Sequence, residues 1–555
     1  MFSTNKFYED IKEIIVHWQK FNPTRCHVLG IHNYDGLFPD YSTIAIEDRI
    51  IEIKEDIVHL IALRRDYDDP YTIFEFNLVK LTLDQELYDL TVLKEYEFNP
   101  FFYIEPLMIL DQSLTVKSFD SLDNRIKLLT EYLENLPTYL SYPKEHLIQS
   151  LPAIHLDLAM DSLNGIVNFF KKDILSFLSQ SNNKSVVNTC KQSIDQAVTV
   201  LTEFLTYLEV NHKPYTHENY SLGKDTFLMM LKKREMVTFQ AEQLLEIGQA
   251  DLDKNFATLQ SIINKHEPDF IDSVLKDFIA EKDLLNYARN TIDRIGTFLK
   301  EKDIVDIPAG EVLRVIETPE SVKRHGFAGL NPSGPFETKK DIESYLFLTF
   351  PDSNWDNNQK GNYYKFFNKA IFDHIIISEV LPGQFLKFLF GKYKTKSNIS
   401  NLFSRASSML EGYPNYVQEM MVENNYNPWP EEPDKIKVGQ LLITILRNVR
   451  FLVSVGIHCF NMPLQEAKNL FVEKALLTDE TALMEIKRAV MVPMYLNYTL
   501  GKLLIKKLKL DYQQEHKENF SLKQFHNELL SYGSPPIALL RQVMLKDTTI
   551  IPEIL

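Results

Sequence analysis

The 555-residue chain has 76 acidic and 60 basic side chains, a formal net charge of -16, with 45% hydrophobic and 12% aromatic residues. That balance excludes a phosphate-backbone binder, whose affinity rests on cationic side chains that release counterions. The aromatic content excludes a disordered chain, and the length provides for ample core.

The opening, MFSTNKFYEDIKEIIVHWQKF, interrupts its apolar residues with charges. It reads as neither a signal segment nor a lipoprotein start, so the mature chain is expected to begin near Met1. No apolar run approaches the roughly 20 residues of a membrane-spanning helix, and a soluble protein is expected. Cys26, Cys190 and Cys459 are far apart and lack C-x-x-C spacing. They fit a reducing compartment, and the cytoplasm is the expected location.

Apolar residues recur at helical spacing along the first half of the chain. DNRIKLLTEYLENLPTYLS aligns Ile126, Leu129, Leu133 and Leu136 on one stripe, and Pro137 is expected to stop or kink that helix. SQSNNKSVVN (Ser179 to Asn188) is a polar turn between helices. The periodicity then predicts one long helix from Asp269 to Asp303 with a single buried face. From Ile307 to Glu337 glycine and proline punctuate the chain, and EVLRVIE and SYLFLTF (Ser344 to Phe350) predict strands of a small sheet. Helices are predicted again over Phe366–Tyr393, Ser404–Asn424, Lys437–Val455 and Leu464–Glu473. The predicted fold is mainly α, a large multi-helix protein with a small β-sheet. An N-terminal helical half covers 1–303 and a second half 304–555, in one compact unit.

HIIISEVLPGQFLKF (His374 to Phe388) places Glu379 near Pro382 and Gly383. In a zinc peptidase, H-E-x-x-H sets two imidazoles one helical turn apart, and the glutamate beside the first exchanges protons with a metal-bound water. No histidine stands at that spacing here.

This stretch resembles H-E-x-x-P-G-H of bacterial domain-of-unknown-function family 885, whose members look like gluzincin-type metallopeptidases. The sequence S-E-V-L-P-G-Q keeps Glu379, Pro382 and Gly383 and has Ser378 and Gln384 where the family has histidines. Residues six apart on a straight helix point roughly 120° away from each other, so a Pro-Gly distortion is needed to bring them together. FNPTRCHVLGIHNYDGLFPDYS resembles a family opening through Gly30, Tyr34, Asp35, Pro39, Asp40 and Ser42. LEGYPNYVQEM resembles E-G-W-x-x-Y-x-E through Glu411 and Tyr416, with Tyr413 for the tryptophan and Gln418 for the last glutamate. Further on, His458 and then Tyr498, Gly501 and Lys502 match family landmarks.

The resemblance implies a zincin-like core, with Glu379 as general base and Glu411 as a metal ligand beside the Ser378 and Gln384 positions. A hydroxyl and an amide are poor zinc donors, so neither zinc nor another cofactor is expected. The expected function is that of a metallopeptidase-like protein, non-catalytic or impaired, whose cleft binds a peptide or small molecule. His374, Pro382, Gly383, Tyr416 and His458 are candidate cleft residues. One alternative is an active metal-dependent hydrolase using Glu379 as base, Glu411 and His374 at the metal, and Tyr498 to polarise the substrate. The other is a structural or interaction protein, which apolar filling of the cleft would favour. A serine nucleophile at Ser378 lacks the G-x-S-x-G elbow.

Overall fold

Ile126, Leu129, Leu133 and Leu136 lie buried along one face of the helix Leu122–Tyr139, as their spacing predicts. Pro137 sits inside that helix without ending it. It falls in the last turn, where the missing N–H forgoes a single backbone bond. The computed structural model describes residues 6–319, 327–339, 342–351 and 354–546. Residues 320–326 of the glycine- and proline-punctuated stretch lie outside the described residues. The polar turn is shorter than its composition suggests, because Asn183 caps the helix Lys184–Asn211 through the Val186 N–H.

The long helix expected from Asp269 to Asp303 is two helices, Phe270–Lys276 and Leu284–Glu301. Between them the backbone turns to a distant partner: Ile279 N–H reaches the Phe367 carbonyl, and the Asp277 carbonyl accepts from Lys369 N–H. The Asp277 carboxylate also pairs with Lys369 and Lys435. Tertiary hydrogen bonds thus outweigh a helical periodicity that the sequence carries throughout.

A three-stranded sheet follows, with β1 (Leu313–Glu317), β2 (Ala328–Asn331) and β3 (Ser344–Leu348) in the order β1-β3-β2. β1 runs parallel to β3, with Val315 opposite Leu346, and β2 runs antiparallel, with Leu330 also opposite Leu346. β1 and β3 are the two predicted strands. β2 arises from AGLN, whose glycine and asparagine mask a strand in the sequence.

Five helices frame the cleft: α1 (Lys369–Glu379), α2 (Gln384–Tyr393), α3 (Gly412–Glu423), α4 (Pro433–Phe460) and α5 (Asn497–His516). The single helix expected over Phe366–Tyr393 is therefore broken after Glu379. α4 departs from the expectation that no apolar run approaches spanning length, since its 28 residues contain a window of mean hydropathy 1.5. That window is 78% buried among other helices, including Ala241–Ile263, which packs along α4.

α3 and α5 cross where two glycines meet. A Cβ on Gly412 would lie 2.5 Å from the Gly501 Cα, and one on Gly501 would lie 2.0 Å from the Ser408 carbonyl oxygen. This contact sets Glu411, just before α3, beside the first turn of α5. Gly501→Ala is expected to lower stability by about 1–3 kcal/mol, the usual cost of forcing atoms into a packed contact. Urea denaturation measures it, and a loss within the scatter of exposed-surface substitutions would contradict the contact.

Candidate functional site

α1 ends at Glu379, with Val380 N–H making the last helical bond to Ile376, and the Leu381–Pro382 peptide is cis. The chain then folds so tightly that a Cβ on Gly383 would lie 1.9 Å from the Ser378 carbonyl oxygen. Only glycine fits there. α2 starts at once, so the end of one helix and the start of the next open onto shared space.

Two cavities meet at this break. The larger, about 660 Å³, is lined by Glu379, Gln384 and Lys387 on one side and by Arg25, Lys117 and Arg405 elsewhere. The smaller, about 510 Å³, is lined by Ser378 and Glu379 with Phe327, Trp355, Tyr363 and Arg447. Glu379 borders both.

The Ser378 hydroxyl donates to the Ile375 carbonyl at 3.0 Å, within its own helix. The Gln384 amide donates to the Leu410 carbonyl at 2.8 Å. Lys387, one turn further along α2, donates to the Met409 and Leu410 carbonyls at 3.1 and 3.2 Å. Gln384 and Lys387 together hold the backbone immediately before Glu411. Burial and then the nearby Glu411 raise the Tyr498 hydroxyl, whose ring lies under the guanidinium groups of Arg447 and Arg450.

Burial, reinforced by repulsion from Glu411, raises the Glu379 carboxyl to about 7 against the pull of Arg447 and Lys387. Burial lowers the Lys387 ammonium to about 7 despite the same two carboxylates. Arg447 is lowered to about 10, by burial first and then by Arg450. It donates to Asn415 Oδ1 at 3.1 Å and to Gln418 Oε1. Gln418 in turn donates to the His374 carbonyl at 2.6 Å.

Ser378, Glu379, Gln384, Glu411 and Tyr498 are therefore brought together, with Pro382 and Gly383 forming the turn that assembles them. Of these, Ser378, Glu379 and Gln384 line the cavities, whereas Glu411 and Tyr498, like His374, Tyr416 and His458, border neither. The His374 ring donates through Nε2 to the Ile436 carbonyl, and burial lowers its pKa to about 4. Tyr416 donates to His526 Nε2 at 2.9 Å, while His526 Nδ1 donates to the Ile304 carbonyl. His458 accepts from Leu222 N–H and donates to the Ala489 carbonyl.

Sequence reasoning passed over Lys387 and Arg447. Lys387 stands three residues after Gln384, on the same helix face, and Arg447 falls with Arg450 inside the apolar stretch LLITILRNVRFLVSVGI; both signals were available. It also missed a polar cluster around Asp35. His27 and His32 each donate through Nδ1 to one Asp35 oxygen, at 2.7 and 2.8 Å, and His32 Nε2 donates to Glu337 at 3.0 Å. Burial alone would lower the His32 pKa, but the bonds to Asp35 and Glu337 raise it to about 9. The imidazolium ties the N-terminal loop to the segment ahead of β3.

These features define a mainly helical protein with a small sheet and an internal cleft at a broken helix. The chain belongs to the family described as bacterial protein of unknown function (DUF885), which matches residues 23–544. No curated protein matches it. Its fold is shared with a Shewanella oneidensis protein described as a "putative lipoprotein of unknown function": TM-score 0.80, 21% identity, covering 98% of this chain and 100% of that one. A Colwellia psychrerythraea protein described as a "putative lipoprotein" gives TM-score 0.77 and 14% identity, covering 97% of this chain and 98% of that one.

Glu379→Gln tests the electrostatics. An acid whose folded pKa lies above its unfolded value stabilises the fold below the unfolded pKa, and that contribution is lost as pH rises through the folded pKa. The variant is expected to be more stable than the parent at pH 8 by about 2–3 kcal/mol, from a rise of the carboxyl to about 7. The advantage should vanish below pH 4.5. An equal effect at both pH values would refute the raised carboxyl.

Proposed function

We propose that this protein is a metallopeptidase-like member of its family that has lost hydrolysis and binds a peptide or small molecule in the cleft at Glu379. S-E-V-L-P-G-Q is, on this reading, a degenerate H-E-x-x-P-G-H within a zincin-like core.

The observation that carries the reading is the engagement of both former ligand positions with backbone carbonyls while a lysine stands among the carboxylates. The residues do not fit zinc. The Ser378 hydroxyl is a weak neutral donor, the Gln384 amide offers only a neutral oxygen better suited to harder cations, and the Lys387 ammonium supplies positive charge near Glu379 and Glu411. A carboxylate without a metal or a positioned nucleophile has little to activate. The two cavities, about 660 and 510 Å³, support ligand binding over a purely structural role.

A second reading, an active hydrolase with other ligands, draws on the Glu379 carboxyl near 7, the range suited to a general base. Of its proposed residues, His374 is turned towards α4. The cytoplasm belongs to the main reading, on three cysteines that are free in the structure. The lipoprotein names of the two solved neighbours speak for the envelope, and protease protection in intact cells separates these locations.

Elemental analysis of protein purified without affinity metals, paired with peptide-hydrolysis assays, tests the main reading. The expected result is no stoichiometric zinc, even after incubation with it, and no hydrolysis sensitive to Glu379→Gln. Zinc that disappears in Glu411→Ala, together with hydrolysis abolished in Glu379→Gln, would overturn the reading in favour of the hydrolase.

A further inference from the structure

The larger cavity has an electrostatic character of its own. Four cationic side chains line it, Arg25, Lys117, Lys387 and Arg405, against two carboxylates, Glu105 and Glu379. Lys387 is committed to the Met409 and Leu410 carbonyls. Among the described residues, no carboxylate lies within ion-pair distance of Arg25, Lys117 or Arg405. The other acids that Lys117 feels are already paired: Glu311 with Lys392 at 2.9 Å and Glu337 with His32 at 3.0 Å.

The cations also oppose one another. Burial lowers Arg25 well below its ordinary value, and Arg405 pushes it further down. Arg405 is exposed to solvent, and partial desolvation by the surrounding protein lowers it as well, with Glu105 opposing. Lys117, 8% exposed, falls to about 8 through burial and, against the pull of Glu337, through Arg25. Around these cations, Arg25 Nε, Thr24 Oγ1 and Asn331 Nδ2 are buried without a hydrogen-bond partner, and all three residues line the cavity. Buried polar groups are satisfied in the great majority of cases, so these three atoms are available to meet a ligand.

We propose that this cavity is an anion site, taking a ligand carboxylate or phosphate on Arg25 and Arg405 with Lys117 beside them. Guanidinium groups suit both anions because their planar fork pairs with two oxygens at once. An anion would relieve the mutual repulsion of the three cations and place the rest of the ligand toward Glu379 at the break between α1 and α2. The proposal rests on the cleft reading above and adds the chemical class of the ligand.

Calorimetric titration of the full chain with succinate, with inorganic phosphate and with uncharged succinamide tests it. One of the two anions is expected to bind one to one, and succinamide is not. Affinity should fall at least about tenfold in both Arg25→Gln and Arg405→Gln, the weight of one charge-assisted contact. It should hold in Lys171→Gln, an exposed lysine outside both cavities. Succinate binding alone assigns a carboxylate ligand, and phosphate binding alone assigns a phosphate. If a glutamine variant fails to fold, Arg25→Lys and Arg405→Lys keep the charge without the fork and are expected to weaken binding less. Absence of heat with both anions, or affinity unchanged in the arginine variants, would overturn the anion site. Those results leave the loss of hydrolysis standing, whereas zinc-dependent hydrolysis would overturn the cleft reading without touching anion binding.

Discussion

The missing side chain at residue 383 is the constraint on which the cleft depends. With the Ser378 carbonyl oxygen 1.9 Å from where a Cβ would be, any other residue would push α2 away from the end of α1. Because the helix breaks there, Glu379 and Lys387 face common space, and residues six apart in sequence open onto adjoining cavities. A second glycine contact, Gly412 on Gly501, brings Glu411 near Tyr498 behind the cleft. Lys502, next to Gly501, anchors that contact through Asp251 at 2.7 Å on the helix that packs along α4. Two backbone approaches thus position the polar chemistry, and the helices around them supply the rigidity.

Buried carboxylates need compensating charge, and here the chain supplies its own. Glu379 and Glu411 lie near Lys387 and Arg447 in a desolvated interior, where an uncompensated charge costs several kcal/mol. Burial raises the acid and lowers the base until both lie near 7, while the attraction between the opposite charges works against burial in each. On the proposed reading this internal compensation takes over the electrostatic part that a bound cation would play, and it makes the loss of two imidazoles tolerable to the fold. Gln418 fits the same logic. A glutamate there would pair its charge with Arg447, whereas the neutral amide accepts from that guanidinium and donates to the His374 carbonyl.

The sequence made the helical stripes and two of the three strands legible, because each rests on local periodicity. Glu379, Pro382, Gly383, Gln384 and Glu411 were singled out by resemblance to short family motifs, and their roles belong to the proposed reading. The misread elements depend on partners far along the chain. Asp277 to Ile279 leaves its helix to bond the entry to α1, and AGLN becomes a strand because β3 offers it a ladder. His374 and Tyr416 were legible as residues but not as directions: their helices turn the side chains toward Ile436 and His526, which only packing decides. Arg25, Lys117 and Arg405 were illegible for the same reason. They come from three separate segments and acquire meaning only as neighbours.

A chain with net charge -16 and a cation-rich chamber inside is not a contradiction. Exposed charges separated by more than the Debye length, about 8 Å at physiological ionic strength, barely feel one another. Charges that line a cavity partly shielded from water are screened less: Lys117 is buried and Arg25 half-buried, while Arg405 meets solvent, so locally these cations outweigh a diffuse negative surface. Nucleic acid is still disfavoured, because a duplex must meet many cations on an exposed face at once. A small anion needs only the chamber. The exclusion drawn from net charge therefore applies to extended polyanions and stops at the mouth of the cavity, where Arg25 and Arg405, rather than the surface total, decide what enters.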